Sequence, residues 1–474
     1  MKNRTKKQLL RGTGIFLLLL ALLGSALPLG AVSDPEISHS EASLIYCVEA
    51  DRVLWSENPD MTVYPAALVK LMTAILAVES ADRGEVGFEE EITVSASVVS
   101  ASTGNTANLK TGEKIRFRDL IGVMVLVGAN DAALAIAERV GGTVEEFVGM
   151  MNEKAGELEM ENTVYTNPTG LHDGRMTTTA NDLLILARYA SRNTFLTELF
   201  GQERITVDAT NLTAARAYGT RNYLVSQRVS TDYYLSMANG MICGSTSEAG
   251  FCIIATAQNN GVNYIAIVLG ADTTTVQVSP EKTEYDSDGN VVAVTPAQYK
   301  YIMNGFVESA LLLKWARDNY EFIRAVDRAT PICQIPVRLA RSVDSVTLLP
   351  EQPIEIYVPK DIDREKDIEL RWELPEPSLT APIKAGTRAG TLTVLYKGEV
   401  IGEVPLIVNS NIESSGALTL IDRAGQLVST PFFRTVLLLI AVGAVVYIFA
   451  TAIGRYRKKA AAKKEYIRKN RYLK

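Results

Sequence analysis

Residues 61–80, MTVYPAALVKLMTAILAVES, constrain the fold more than any other part of this chain. Pro65 stands where a helix would begin, because its fixed φ suits a first turn and its missing N–H is not needed there. From Ala66 to Val78 the segment is apolar nearly all round. Such a helix cannot lie on a surface and must sit inside a large core. One charge interrupts it, Lys70. Ala67 precedes it by three residues, so both project from the same side of the first turn. A lysine in this setting is either a snorkelling cation at a helix end or a group with a function.

A core of that size needs a long chain, and 474 residues provide for two or three domains. The formal charge is −6, but the ends carry +5 (residues 1–11) and +9 (residues 455–474), leaving −20 for the body. An acidic body between basic ends argues against nucleic acid as a partner. Residues 1–31 read as a secretory signal: a basic start, an apolar stretch from Ile15 to Leu23, and small residues at Ala26 and Ala31. An uncleaved anchor is the other reading of that segment. Thr435–Ile453 is free of charge, and at about 1.5 Å per residue its nineteen residues span roughly 28 Å, close to a bilayer core. The basic segment 455–474 follows at once, which places the C-terminus in the cytoplasm and the main domains outside it. The expectation is a single-pass protein of the cell membrane.

Four cysteines, Cys47, Cys243, Cys252 and Cys333, are compatible with export as disulfides or as buried thiols. Cys243 and Cys252 could face each other across a hairpin. With two histidines in the chain, a histidine-rich metal site is not expected, and no cofactor or metal is implied.

Along the chain, 42–49 and 53–56 read as a hairpin and 92–98 as a short strand, with 100–105 as a polar loop. Apolar helical runs at 120–126 and 132–140 are separated by Gly128-Ala129-Asn130-Asp131, an elbow that would put Asn130 in a cleft or serve as an ordinary turn. Asn167–Gly174 is a dense turn cluster. Residues 237–243 and 250–257 pair as strands, 263–270 is a buried strand, 271–297 a polar insertion and 299–316 a closing helix. Ser279-Pro280-Glu281-Lys282 spells Ser-x-x-Lys by chance within that insertion. After about residue 330 the texture turns to short β segments punctuated by Pro and Gly. The resulting partition is 1–31 signal, 32–328 main domain, 329–409 small β domain, 410–430 linker, 431–454 membrane helix and 455–474 basic tail.

Pro65-Ala66-x-Leu68-x-Lys70-Leu71-Met72-Thr73-Ala74 resembles the nucleophile helix of the D-alanyl-D-alanine carboxypeptidases, the low-molecular-weight penicillin-binding proteins. The resemblance extends over roughly 40–410. It takes in Met151-Asn152-x-Lys154-Ala155, the turn at Asn167–Asp173, Ala381-Pro382-Ile383-Lys384-Ala385-Gly386 and Pro405-Leu406-Ile407-Val408. It implies an α/β domain of the β-lactamase/transpeptidase type, then a small all-β domain, here with a C-terminal transmembrane helix. That family uses three motifs, and all three are altered. Where the Ser-x-x-Lys nucleophile belongs stands Ala67, with the base Lys70 retained. Where the Ser-x-Asn relay serine belongs stands Gly128, with Asn130 retained. Where Lys-Thr-Gly belongs stands Ile242-Cys243-Gly244, so the cation that attracts a terminal carboxylate is gone. The backbone N–H groups at Ala67 and Ser245 occupy the family's oxyanion-hole positions and do not depend on side chains.

The resemblance therefore implies a membrane-anchored homologue without the family's covalent step, acting as a binding or scaffold protein in cell-wall biology. Its partners would be a peptidoglycan stem peptide or a cell-wall synthesis protein. The alternative is an active carboxypeptidase with non-standard groups, Cys243 being the nucleophile available to it. Lys70 hydrogen-bonded to Asn130 and nearby backbone would be the purely structural use of the retained residues.

Overall fold

The computed structural model describes residues 33–285 and 291–470. The segment read as a secretory signal lies outside them, as do the last four residues. Two compact units result, residues 33–321 with 357–362 and residues 322–356 with 363–470.

The first unit is built on five antiparallel strands: β1 (Ala42–Cys47), β2 (Arg52–Glu57), β3 (Ala238–Thr246), β4 (Gly250–Asn259) and β5 (Val262–Ala271). Their order is β2-β1-β5-β4-β3, so the hairpin read at the N-terminus joins a sheet whose other strands lie some two hundred residues later. The strands read as near-continuous apolar runs because both faces are covered. Ile254, Ile265, Ile267 and Leu269 face one core and Ile253, Ala255, Ala266 and Val268 the other. Two successive hydrophobic sets on a period of two make register costly to slip.

The first face receives helix α1 (Val69–Asp82), entered through a short 3₁₀ turn at Ala66–Leu68. Eleven of its fourteen residues are buried, so it is the central helix of the unit. Pro65 caps the turn, and Ala66 lies in the left-handed region at φ 46°, which a β-carbon disfavours. Helices α2 (Phe117–Val127) and α3 (Asn130–Gly141) pack beside it. Gly128 ends α2 at φ 73°, its N–H donating to the Met124 carbonyl at 2.9 Å. This is a left-handed helix end for which glycine is the natural residue. Helix α4 (Ala180–Ala190), capped by the Thr179 hydroxyl, completes that face. The second face is covered by α5 (Asn304–Asn319) through Phe306, Leu312, Leu313 and Ala316.

The structure departs from the sequence reading in three places here. Only Glu91–Thr93 is strand in the 92–98 region; Ser95 accepts the Val98 N–H at 3.1 Å and starts a short helix, Ala96–Ala101. The insertion after β5 is not merely polar loop. Thr273–Ser279 pairs with Gln298–Met303, and Lys282–Tyr285 with Val291–Thr295. The closing helix accordingly starts at Asn304, because Tyr299, Tyr301 and Ile302 in its approach suit a strand, which pairs with Thr273–Ser279.

In the second unit, six strands follow the order Ile368–Glu373, Arg388–Tyr396, Glu399–Val408, Ser345–Pro350, Cys333–Arg338 and Leu379–Thr380. Leu348, Leu392, Val394 and Leu406 fill its interior. The stretch read as a linker at 410–430 holds helix α6 (Gly416–Ser429), capped by the Ser415 hydroxyl. Leu418, Leu420, Ile421, Leu427 and Val428 recur at helical spacing, a pattern masked in the sequence by the polar residues between them. Helix α7 (Pro431–Asn470) follows and carries on through the basic segment. Its portion from Pro431 to Tyr466 is long and apolar enough to cross a membrane.

Candidate active site

The turn that launches α1 is wedged between two glycines. A β-carbon on Gly170 would fall 1.9 Å from the Ala66 carbonyl oxygen, and one on Gly244 would fall 2.4 Å from the Ala67 β-carbon. Gly170 therefore packs against the backbone before Ala67 and Gly244 against the Ala67 methyl group, and only a residue without a side chain permits either approach. The loop that carries Gly170 is organised by Asn167. Its Oδ1 accepts from Thr169 N–H (3.1 Å), the Thr169 hydroxyl (2.8 Å) and Gly170 N–H (2.8 Å), while Nδ2 donates to the Leu171 carbonyl at 2.9 Å. The loop is tied to α1 by the Thr73 hydroxyl, which donates to the Pro168 carbonyl at 2.9 Å, and by Lys70.

Lys70 is 2% exposed, and its Nζ donates to the Thr169 carbonyl. Burial without a carboxylate partner pushes its ammonium down to about 7. Near neutral pH it therefore exists in part as a free amine, a base with a lone pair. The hydroxyl such a base would activate is absent at Ala67. Asn130 opens α3 and donates from Nδ2 to the Thr103 carbonyl at 2.7 Å. The expected Lys70–Asn130 hydrogen bond is thus replaced by two separate backbone contacts, since the loops at 103 and 169 each bring a carbonyl closer.

Ala67, Lys70, Gly128, Asn130, Cys243, Gly244 and Ser245 line one cavity of about 220 Å³. Ile242 does not. It is 2% exposed and packs into the core on the α1 side of the sheet. Cys243 is a poor nucleophile here: burial pushes its thiol up to about 12, and its S–H donates to the Arg221 carbonyl at 3.4 Å. A disulfide to Cys252 is ruled out by register. Cys243 lies opposite Ile253 and Cys252 opposite Gly244, which puts the two side chains on opposite faces of the sheet, and both thiols are free.

Among the lining residues that sequence reasoning missed, Asn105 and Arg221 bring polar chemistry to the cavity. Arg221 hangs between the end of α2 and β3: its N–H donates to the Leu126 carbonyl at 2.9 Å and its carbonyl receives the Cys243 thiol. Its exposed guanidinium donates through Nη1 to Asn105 Oδ1 at 3.3 Å. Neither residue belongs to a local pattern, since 105 sits in a polar loop and 221 in an irregular connection. Among the described residues that line the cavity none is acidic, so Lys70 and Arg221 give it a positive character. Backbone donors, an amine and a guanidinium can hold a carbonyl and an anion. No lining group at position 67 can attack a carbonyl.

This architecture, a sheet with a buried helix whose first turn faces the sheet's edge strand, is matched by known proteins. Residues 30–273 match the family described as D-alanyl-D-alanine carboxypeptidase, and residues 338–414 the family described as penicillin-binding protein 5, C-terminal domain. The chain belongs to the D-alanyl-D-alanine carboxypeptidase family. It is 26% identical over 400 residues to D-alanyl-D-alanine carboxypeptidase DacF of Bacillus subtilis (strain 168), covering 82% of this chain and 90% of that one. It is also 26% identical to DacC of Escherichia coli (strain K12), over 81% of this chain and 87% of that one. The fold is shared with the solved penicillin binding protein 5 from Haemophilus influenzae (TM-score 0.57, 23% identity, 81% of this chain and 100% of that one). The carboxypeptidase DacD from Francisella tularensis shares it as well (TM-score 0.58, 23% identity, 81% and 97%).

Proposed function

We propose that this chain is a catalytically silent member of its family, which holds the carboxylate end of a peptidoglycan stem peptide without cutting it. It would serve as a binding or scaffold protein at the cell envelope. The observation that carries the reading is Ala67. The covalent step of a serine-type carboxypeptidase joins a hydroxyl oxygen to the peptide carbonyl, and a methyl group has neither the lone pair nor the proton to do so. Lys70, as a partly neutral amine, is left as a base with nothing to deprotonate.

Binding is supported by what remains. Ala67 and Ser245, whose backbone N–H groups would serve as the donors, both line the cavity. Arg221 offers a cation in place of the lost third-motif lysine, and a guanidinium suits a carboxylate by geometry as well as charge. The rival reading, turnover through Cys243, is opposed by the thiol's position far above neutrality. For location, α7 would anchor the chain and the basic segment after it would stay on the cytoplasmic side, leaving the sheets that precede α7 outside.

The test is release of D-alanine by the full chain in detergent from Nα,Nε-diacetyl-L-lysyl-D-alanyl-D-alanine, with equilibrium dialysis of the same peptide alongside. The expected result is release at the buffer-blank rate together with saturable retention of the peptide. Release above the blank, abolished by Lys70→Ala, would overturn the silent reading.

A further inference from the structure

The space left by the missing relay serine is not empty. A β-carbon on Gly128 would come within 3.3 Å of Asn105 Nδ2, so the Asn105 side chain already fills the site's second-motif corner. That same amide nitrogen donates to the Val127 carbonyl, one residue before the left-handed Gly128. The other end of the amide, Oδ1, faces Arg221 and accepts from its Nη1 at 3.3 Å. Asn105 is held in turn from α3. Asp131 accepts from Ala107 N–H at 2.8 Å and Leu109 N–H at 2.9 Å, which pins the loop beside Asn105 against the helix start.

An arginine on an irregular connection has many rotamers, and ordering it costs side-chain entropy. Asn105 supplies one fixed acceptor without adding a charge. The guanidinium is thereby oriented while its remaining donors and its full charge stay available, in a cavity with no carboxylate among the described residues that line it.

We propose that Asn105 is a positioning residue that holds Arg221 over the cavity and sets the cleft's preference for a ligand ending in a free carboxylate. The Asn105–Arg221 pair takes over the corner that catalysis would have needed for its relay hydroxyl, and converts it to anion recognition. This rests on the reading of the cleft as a peptide-binding one.

The experiment compares two probes, Nα,Nε-diacetyl-L-lysyl-D-alanyl-D-alanine and its C-terminal amide, by calorimetry with the full chain in detergent. A charge-assisted pair with Arg221 is expected to favour the acid by about tenfold over the amide. Asn105→Ala should bring that ratio close to one, mainly by weakening the acid. Asn105→Asp, nearly the same shape, should do the same by placing a carboxylate against the guanidinium and withdrawing it from the ligand. Using both variants guards against one of them unfolding, and a loss of structure alone would weaken both probes together without moving their ratio. A ratio still near ten in either folded variant overturns the inference and leaves the proposed function standing. A wild-type ratio of one also overturns it, while binding of both probes still supports the cleft as a peptide site. If the wild-type chain binds neither probe, both readings fall.

Discussion

Replacing Lys70 with methionine is expected to make the chain more stable at pH 6 and less stable at pH 10. In the folded protein burial holds Lys70 at about 7, whereas the unfolded chain titrates near the ordinary 10.5. Between those values the unfolded state carries a proton that the folded state does not, so the wild-type chain gains stability as pH rises, by up to about 1.4 kcal/mol per unit from this group. Below pH 7 both states are protonated and the burial penalty is felt in full. Methionine removes that penalty, a gain of about 2–5 kcal/mol at low pH. It also leaves the Thr169 carbonyl without its donor, a loss of about 1–3 kcal/mol at every pH. The first effect wins at pH 6 and is absent at pH 10, so the two curves of stability against pH should cross. Urea unfolding of both proteins across pH 6–10 checks this. A difference that keeps one sign and size throughout would mean that Lys70 does not titrate in the folded chain near neutrality.

Restoring the serine should not restore the enzyme. Ala67→Ser would place a hydroxyl on the same turn as Lys70, in a cavity that positions 67 and 245 both line. It would still lack the relay hydroxyl and the third-motif cation. Positioned proton transfer contributes about 10²–10⁴-fold in such reactions, so D-alanine release should stay lower by about that factor than in a working carboxypeptidase. The second repair works against the fold. At Gly128 the backbone is left-handed, and a β-carbon would crowd Asn105 Nδ2 at 3.3 Å. Serine there should cost about 1–2 kcal/mol from backbone conformation alone. The Ala67→Ser, Gly128→Ser double variant is therefore expected to melt below the single variant and to release D-alanine no faster than it. Melting curves and a coupled D-alanine assay on the two proteins check both halves. Turnover regained without loss of stability would show that the cleft is only a few side chains from activity.

These outcomes depend on features of unequal visibility in the sequence. Helix α1 was plain from its unbroken apolar run and from Pro65. The elbow at Gly128–Asn130 was visible as a turn inside helical periodicity. The altered motifs could be read because their flanks set the register. Three other features were not accessible. Arg221 and Asn105 meet across 116 positions of sequence, through loops that carry no period. Ile242 was placed with the site by its motif, but strand alternation turns its side chain away from Cys243 and into the core, and on its own face it is Gly244, beside Ala67, that reaches the cavity. Lys70 finds its partner in a backbone carbonyl, and no sequence pattern advertises a carbonyl. Helix α6 was hidden differently: its apolar residues are spaced among polar ones over only fourteen positions, a weak signal beside the long apolar run of α7.

Whether any residue of the cleft can be acylated separates a silent site from a working one. The most direct measurement is the intact mass of the full chain after prolonged incubation with excess benzylpenicillin near neutral pH. A chain with a methyl group at position 67 and the Cys243 thiol held near 12 should keep its mass unchanged. A gain equal to one penicillin molecule per chain would contradict the account, and mapping the modified peptide would identify the residue that attacks.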